Sequence, residues 1–430
     1  MSEELKTSKA RIDMLVEKWD AVLNNETAGK IESYHKKAVT AQMLENQEVE
    51  MSKQHLAEAA PANSTTGVAN FDPVLISMVR RSAPNLIAHE LAAVQPMTGP
   101  TGLIFAMRSR YTAQDGDEAL GIDEANSAFS GAGTQAEGPS SLGGVDTTPA
   151  DGVNDAFAVG SGMSTAAAEA LGDGVGAGFG EMAFSIESST VTAKSRALKA
   201  EYSVEMAQDL QAVHGLNAET ELSAILTQEI LAEQNREMIR LINSRARLGA
   251  TAGAFDLTTD ADGRWAVEKW KGLVFQIERE ANAIAKATRR GKGNVIVCSS
   301  DVASALVATG MLSNTPNYSA PLQVDDAGNL FAGVLNGRTK VFIDPYASVN
   351  YVTVGYKGSS QYDAGMFYCP YVPLQMFRAQ GENSFQPKIA FKTRYGISAN
   401  PFVDQTGEVG AVRTNDYYRI FEVQNILLEG

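Results

Sequence analysis

Residues 217–244 read NAETELSAILTQEILAEQNREMIRLINS, and the reading of this stretch decides the fold. Leu222, Leu226 and Ile230 recur at every fourth position, joined by Ile225, Met238, Leu241 and Ile242, the spacing of an apolar helix face. Asn217 or Thr220 can cap its start, because a short polar side chain accepts a backbone N–H that the first turn leaves unpaired. At about 1.5 Å per residue such a helix reaches about 40 Å, enough to form the backbone of a domain. Further along, Trp265–Thr288 puts Leu273, Ile277 and Ile284 on one side and ends in the basic loop RRGKG at 289–293, which predicts another long helix. NVIVC at 294–298 is a continuous apolar run and predicts a buried strand. DVASALVATG (301–310) reads as helix, while Lys340–Ile343, Asn350–Val354, Met366–Tyr368 and Lys388–Phe391 read as strands. A helix-rich part precedes a part with a sheet. The class is α+β.

The chain has 430 residues, 44% hydrophobic, with 36 Lys and Arg against 51 Asp and Glu, a formal charge of −15. At roughly 150 residues per domain that length suggests two to three compact units. The charge is concentrated: between Arg110 and Lys194 there is no basic residue and there are 13 acidic ones. That stretch is also rich in glycine, alanine and serine, so it buries little apolar surface against the entropy of ordering it. We expect 111–193 to be an extended loop or a weakly packed excursion, bounded by strands at Leu103–Met107 and Ala183–Ile186. A net acidic chain does not coat nucleic acid, since polyanion binding needs cations to replace condensed counterions.

Residues 1–58 differ in character. Ile12, Leu15, Trp19 and Val22 share a helix face, and a second helix at Lys30–Glu50 has Ile31, Tyr34, Ala38 and Ala41 on one side. Too little apolar material is present for an independent core, so the region calls for a partner, or failing that for the body of the chain. The polar stretch AAPANSTTGVAN (59–70) then reads as a linker. MSEELKTSKARIDML lacks the apolar run of a signal peptide, and no 18-residue charge-free apolar segment occurs, which predicts a soluble, cytoplasmic chain.

Chemical motifs are absent. GDGVGAGFG (172–180) has no strand before it to make a dinucleotide-binding turn, and no Gly-x-x-x-x-Gly-Lys-Ser/Thr occurs. The histidines His35, His55, His89 and His214 are dispersed without metal-ligand spacing, and His214 fits a helix end. Cys298 and Cys369 allow at most one bridge, and as strand residues they fit buried free thiols. Arg289, Arg290 and Lys292 fit a solvated loop at a helix C-terminus. These residues assemble no catalytic set, cofactor site or metal site.

Longer blocks carry a resemblance. VRRSAPNLIAHELAAVQPMTGPTGLIFAMRSRY (79–111) and residues 194–243 resemble the major head (capsid) proteins of T-even-like contractile-tailed bacteriophages. So do FAGVLNGRTKVFIDPYA (331–347), YVTVGYKG (351–358), DAGMFYCPYVPL (363–374) and FQPKIAFKTRYGISANPF (385–402). The resemblance implies the capsid fold shared by tailed phages and herpesviruses. It divides the chain into a scaffold-associated propeptide at 1–58, an N-terminal arm at 59–110 and an extended loop or shortened insertion at 111–193. A peripheral domain with a spine helix follows at 194–298, then an axial domain at 299–370 and a return to the peripheral domain at 371–430. Family members with a longer insertion fold it separately, and here that stretch is shorter.

The implied function is structural: hexamers that build an icosahedral or prolate head around double-stranded DNA. Implied partners are further copies of the chain, a vertex protein, an internal scaffold, a maturation protease, decoration proteins and a folding chaperone. The family's protease prefers an aliphatic residue, any residue, then glutamate. Leu56-Ala57-Glu58 supplies that pattern before the linker, which predicts cleavage between Glu58 and Ala59. Assembly in the bacterial cytoplasm and residence in the virion follow from the same resemblance. Two rivals remain: a vertex protein of the same fold that forms pentamers, and a glycine-rich nucleotide-using enzyme.

Overall fold

A computed structural model of the chain describes residues 2–24, 31, 33–57, 86–119, 125–133, 160–172, 178–261, 265–313, 330–358, 363–381, 385–400 and 413–426. It divides into two compact units, one of 1–104 with 189–430 and one of 105–188. The described helices are α1 (Ser2–Lys18), α2 (Asp20–Leu23), α3 (Tyr34–Ala57), α4 (Ala88–Leu91), α5 (Thr165–Glu169), α6 (Val204–His214), α7 (Ala218–Arg245), α8 (Ala266–Thr288) and α9 (Ser300–Ala308). The strands are β1 (Ala93–Val94), β2 (Thr101–Tyr111), β3 (Glu118–Ala119), β4 (Met182–Thr192), β5 (Lys194–Glu201), β6 (Ala246–Leu248), β7 (Ala254–Asp256) and β8 (Val295–Ser299). They continue with β9 (Leu312–Ser313), β10 (Leu330–Leu335), β11 (Thr339–Asp344), β12 (Tyr351–Gly355), β13 (Met366–Gln380), β14 (Pro387–Ala399) and β15 (Asn415–Gln424). The α+β class stands.

Helix α7 forms where the sequence places it. The Asn217 side chain accepts the Glu219 N–H at 3.0 Å, and Glu219 and Glu221 in the first turn favour the positive end of the helix dipole. Its two halves face different sheets. Leu226 and Ile230 pack with Leu374, Ile389 and Phe391 of the four-stranded sheet β1-β13-β14-β5. Met238, Ile239 and Ile242 join the central core, which includes Val295 and Tyr418 of the eight-stranded sheet. Ile225 departs from expectation: it lies off the four-residue row and is exposed.

The eight-stranded sheet runs β6-β15-β12-β8-β11-β10-β9, with β7 also paired to β15. β8 is buried throughout, parallel to β11 and antiparallel to β12, as a fully apolar run requires. Leu273, Ile277 and Ile284 of α8 pack over it with Val302 and Leu306 of α9. Strands from 194–298, 299–370 and 371–430 therefore share one sheet.

The pieces expected at Met366–Tyr368 and Lys388–Phe391 belong to long paired strands that run from Met366 opposite Ala399 to Gln380 opposite Pro387. Pro370 and Pro373 break the sequence pattern, and the register shifts between 370 and 375. Proline donates no ladder hydrogen bond and is accommodated at bulges.

The N-terminal region packs on the body of the chain, the second of the two readings its sequence left open. Trp19 and Leu23 with Val39, Met43 and Leu44 of α3 pack into the same core as Leu86–Ala92, Tyr368 and Tyr418. The body of the chain supplies the surface. Tyr34, expected on the inner side, is exposed.

The described part of the second unit is thinly packed. It holds β3 and most of β2 and β4, the short helix α5, and a bridge between Ala132 and Ser161. Among its described residues only Ala119 is buried. Residues 173–177 of the glycine-rich GDGVGAGFG lie outside the described residues, and α5 precedes the run. No helix among the described residues is long and apolar enough to cross a membrane.

A buried carboxylate fastens α7 to the eight-stranded sheet. Both Asp344 oxygens accept from Arg236 Nη1 at 2.7 and 2.6 Å, Oδ2 accepts from the Tyr351 hydroxyl at 2.6 Å, and Oδ1 accepts from the Tyr346 N–H at 3.0 Å. Asp344→Ala strands these donors, so chemical denaturation is expected to show a loss of about 3 kcal/mol. A loss within experimental error would remove this carboxylate as a fastening point.

Candidate functional site

The described surface offers apolar ground for association. Strands β2 and β4 are hydrogen-bonded neighbours with alternating exposure. The Arg110 guanidinium donates to Ser185 Oγ at 3.1 Å and to Glu187 Oε1 at 3.3 Å, which fixes which residues share a face. Even positions of β2 lie with odd positions of β4. The other face therefore carries Phe105, Met107, Met182, Phe184 and Ile186, each between 53% and 61% exposed. A row of five large apolar side chains on one face of a thin ribbon is a surface built to be covered. The period-2 pattern Leu103-x-Phe105-x-Met107 carried this signal in sequence, but which face lay open required the pairing.

Helix α6 is a second such surface. Ser203 caps it by accepting the Met206 N–H, and it closes at His214 with Gly215 at φ 67°, a left-handed conformation suited to glycine. It has no buried residue, and Val204, Met206 and Val213 all stand exposed. His214 is thus the helix-end residue expected from sequence.

The N-terminal region docks by polar as well as apolar contacts. Asn46 Nδ2 donates to the carbonyls of Met97 and Tyr371, each at 2.8 Å, and Gln375 Nε2 donates to Gln47 Oε1 at 3.4 Å. Lys36 of α3 and Lys340 of β11 share Glu90 of α4, at 3.4 and 2.6 Å. Of the residues expected at the cleavage point, Leu56 falls in the last turn of α3, whereas Glu58 and Ala59 lie outside the described residues.

The remaining candidates have quiet roles. Cys298 and Cys369 are free and buried, and burial pushes both thiols up to about 12, far from a reactive thiolate. Arg290 pairs with Asp363 at 3.5 Å and Lys292 with Glu278, while Arg289 stands exposed at the end of α8. Among the described residues no group of three or more His, Cys, Asp or Glu is placed to hold a metal.

The family model described as major capsid protein Gp23 matches residues 68–423. The chain belongs to this major capsid protein family. The resemblance read from the sequence blocks is borne out. The major capsid protein of Salmonella phage ViI is 43% identical over 410 residues, covering 92% of each chain. That of Enterobacteria phage T4 is 35% identical over 499 residues, covering 95% of each. The capsid vertex protein of phage T4 is 28% identical over 240 residues, covering 51% of this chain and 53% of that one. The role of the family is structural, as the major capsid protein of a T4-like phage head, and the virion is its place.

Asn46 offers a direct probe of the docked N-terminus. Asn46→Ala leaves the Met97 and Tyr371 carbonyls without that donor, so amide exchange in residues 34–47 is expected to quicken as if α3 docked more weakly by about 1–2 kcal/mol. Equal protection in the variant and the parent would show that this contact contributes nothing.

Proposed function

We propose that the chain forms hexamers that tile the head enclosing the double-stranded DNA, with the apolar face of the β2–β4 ribbon laid on a neighbouring copy. The observation that carries this reading is the exposed row of Phe105, Met107, Met182, Phe184 and Ile186 in a unit whose described residues include one buried side chain, Ala119. A ribbon with so little core gains order when it is covered. Repetition of one heterologous contact, a patch on one copy meeting a different patch on the next, closes rings and extends into shells. Apolar α6 is a surface of the second kind.

In this reading residues 1–58 meet the internal scaffold and are removed by the maturation protease between Glu58 and Ala59. The vertex protein, decoration proteins and a folding chaperone are the other partners, and assembly takes place in the host cytoplasm. The arm at 59–110 and the loop at 111–193 make contacts between copies. The peripheral parts (194–298 and 371–430) and the axial part (299–370) supply the tile, sharing the eight-stranded sheet as a common core. The net charge of −15 suits a wall against which DNA slides without adhering.

The pentameric vertex role is the second reading, and the closer likeness over the whole chain to major capsid proteins weighs against it.

Phe184→Asp combined with Ile186→Asp tests the assembly surface. Both side chains are exposed, so the stability of the subunit should change by only about 0.5 kcal/mol, while shells in the presence of scaffold should be absent by electron microscopy. Normal shells from this variant would defeat the proposed contact. Intact mass of protein from mature particles tests the processing step: a chain beginning at Ala59 is expected, and one beginning at Met1 or far from Ala59 overturns it.

A further inference from the structure

Where α3 meets the body, cations crowd around one carboxylate. The first turn of α3 carries His35 and Lys36. Facing them are His89 and Glu90 of α4, Lys340 of β11 and Lys357 just beyond β12. Glu90 Oε1 pairs with Lys36 and Oε2 with Lys340, so both of its oxygens are engaged by lysines. The Lys357 ammonium donates to the His89 carbonyl. The His35 and His89 rings stand edge to face with centroids 6.5 Å apart. Lys36 and His35 travel with the N-terminal helices, and the other groups belong to the body. Any added positive charge at this seam works against docking.

We infer that this cluster is an acid-sensitive latch: a proton on His35 sets the N-terminal helices against Lys357 of the body and loosens their hold on it. The inference rests on the proposed removal of residues 1–58 only for its biological use, as a way of timing access to the Glu58–Ala59 bond. The latch itself is a property of the uncleaved chain.

Three titrations act in one direction and are separated in pH. Burial holds His35 below its ordinary value, Lys357 and Lys36 add to this, and a hydrogen bond to the Val94 backbone opposes it. The docked state thus disfavours the protonated imidazole. Docking is strongest above about pH 6.5, the ordinary histidine value, and weakens as the pH falls below it. Burial draws Lys357 down to about 8, with Glu90 opposing and Lys36 and Lys340 adding. Its effect is therefore spent between about pH 10.5 and 8, before neutrality is reached. Burial alone would raise Glu90, but Lys340, Lys36 and Lys357 hold it below the ordinary value. Its contribution is lost only below about pH 4.5. Between pH 7 and 5 Lys357 and Glu90 hold their charge, which leaves the histidines of the seam, of which His35 is the one carried by the docked helix.

Amide exchange of the full-length, uncleaved subunit tests this at pH 7.5, 6.5 and 5.5, with intrinsic rates corrected and α7 as the internal reference. Opening of residues 34–47 is expected to rise several-fold across that range while α7 holds steady. His35→Gln, which cannot take up the proton, should abolish the rise. Unchanged protection, an equal rise in His35→Gln, or parallel loss in α7 would each overturn the latch. No shell and no protease enters the measurement, so its failure is distinct from a failure of the capsid reading.

Discussion

Helix α7 is the constraint on which the body of the chain depends, because one straight element must satisfy two sheets. A helix that served only the four-stranded sheet would be apolar along a single row. Here Leu226 and Ile230 address Phe391 and Ile389, while Met238, Ile239 and Ile242 turn to the central core. The polar residues between them join the sheets to the helix. Arg196 of β5 reaches Glu233 at 2.9 Å and Glu237 at 2.6 Å, and the Tyr395 hydroxyl of β14 donates to Glu237 at 2.6 Å. Arg236, in the same turn, holds the buried Asp344 of the other sheet. Apolar burial supplies most of the favourable free energy, and of these ion pairs Arg236–Asp344 has the fully buried member, whose partner removed leaves an uncompensated charge.

The contrast with residues 105–188 is one of packing, not of secondary structure. Strands of good length form in both units. In the body the central strand β8 is covered on both faces, whereas β2 and β4 present an apolar row with no covering layer among the described residues. Few buried contacts mean a low local opening free energy. Such a segment can be extended and still specific, because its side-chain alternation sets which face meets a partner.

Much of this was legible in the sequence. The four-residue recurrence and Asn217 placed α7 to within a residue, and the apolar run NVIVC placed β8, since both signals are local. β15 was harder to read: its first four residues, Tyr417 and Tyr418 among them, are all buried, and alternation begins only at Phe421. β13 was cut short by its prolines. The docking of the N-terminal helices was illegible for another reason, because the contact of Asn46 with Tyr371 spans 325 residues. Amphipathicity showed that a face needed covering but not by what.

The same asymmetry bears on what kind of force holds the ribbon. Its opposite face uses its charges internally: Arg110 is taken up by Ser185, Glu187 and the Gly116 carbonyl at 2.7 Å, and Arg108 lies 3.8 Å from Glu187. The two arginines next to the acidic stretch are thus committed within the ribbon. What remains outward is hydrocarbon and aromatic surface, whose burial is insensitive to charge screening and is strengthened by excluded salts such as sulfate. Under the proposed assembly such a contact tolerates changes of ionic strength that would dissolve contacts made of surface ion pairs. In the proposed assembly the acidic residues of 111–193 have a separate task, keeping the uncovered ribbon soluble until a neighbouring copy covers it.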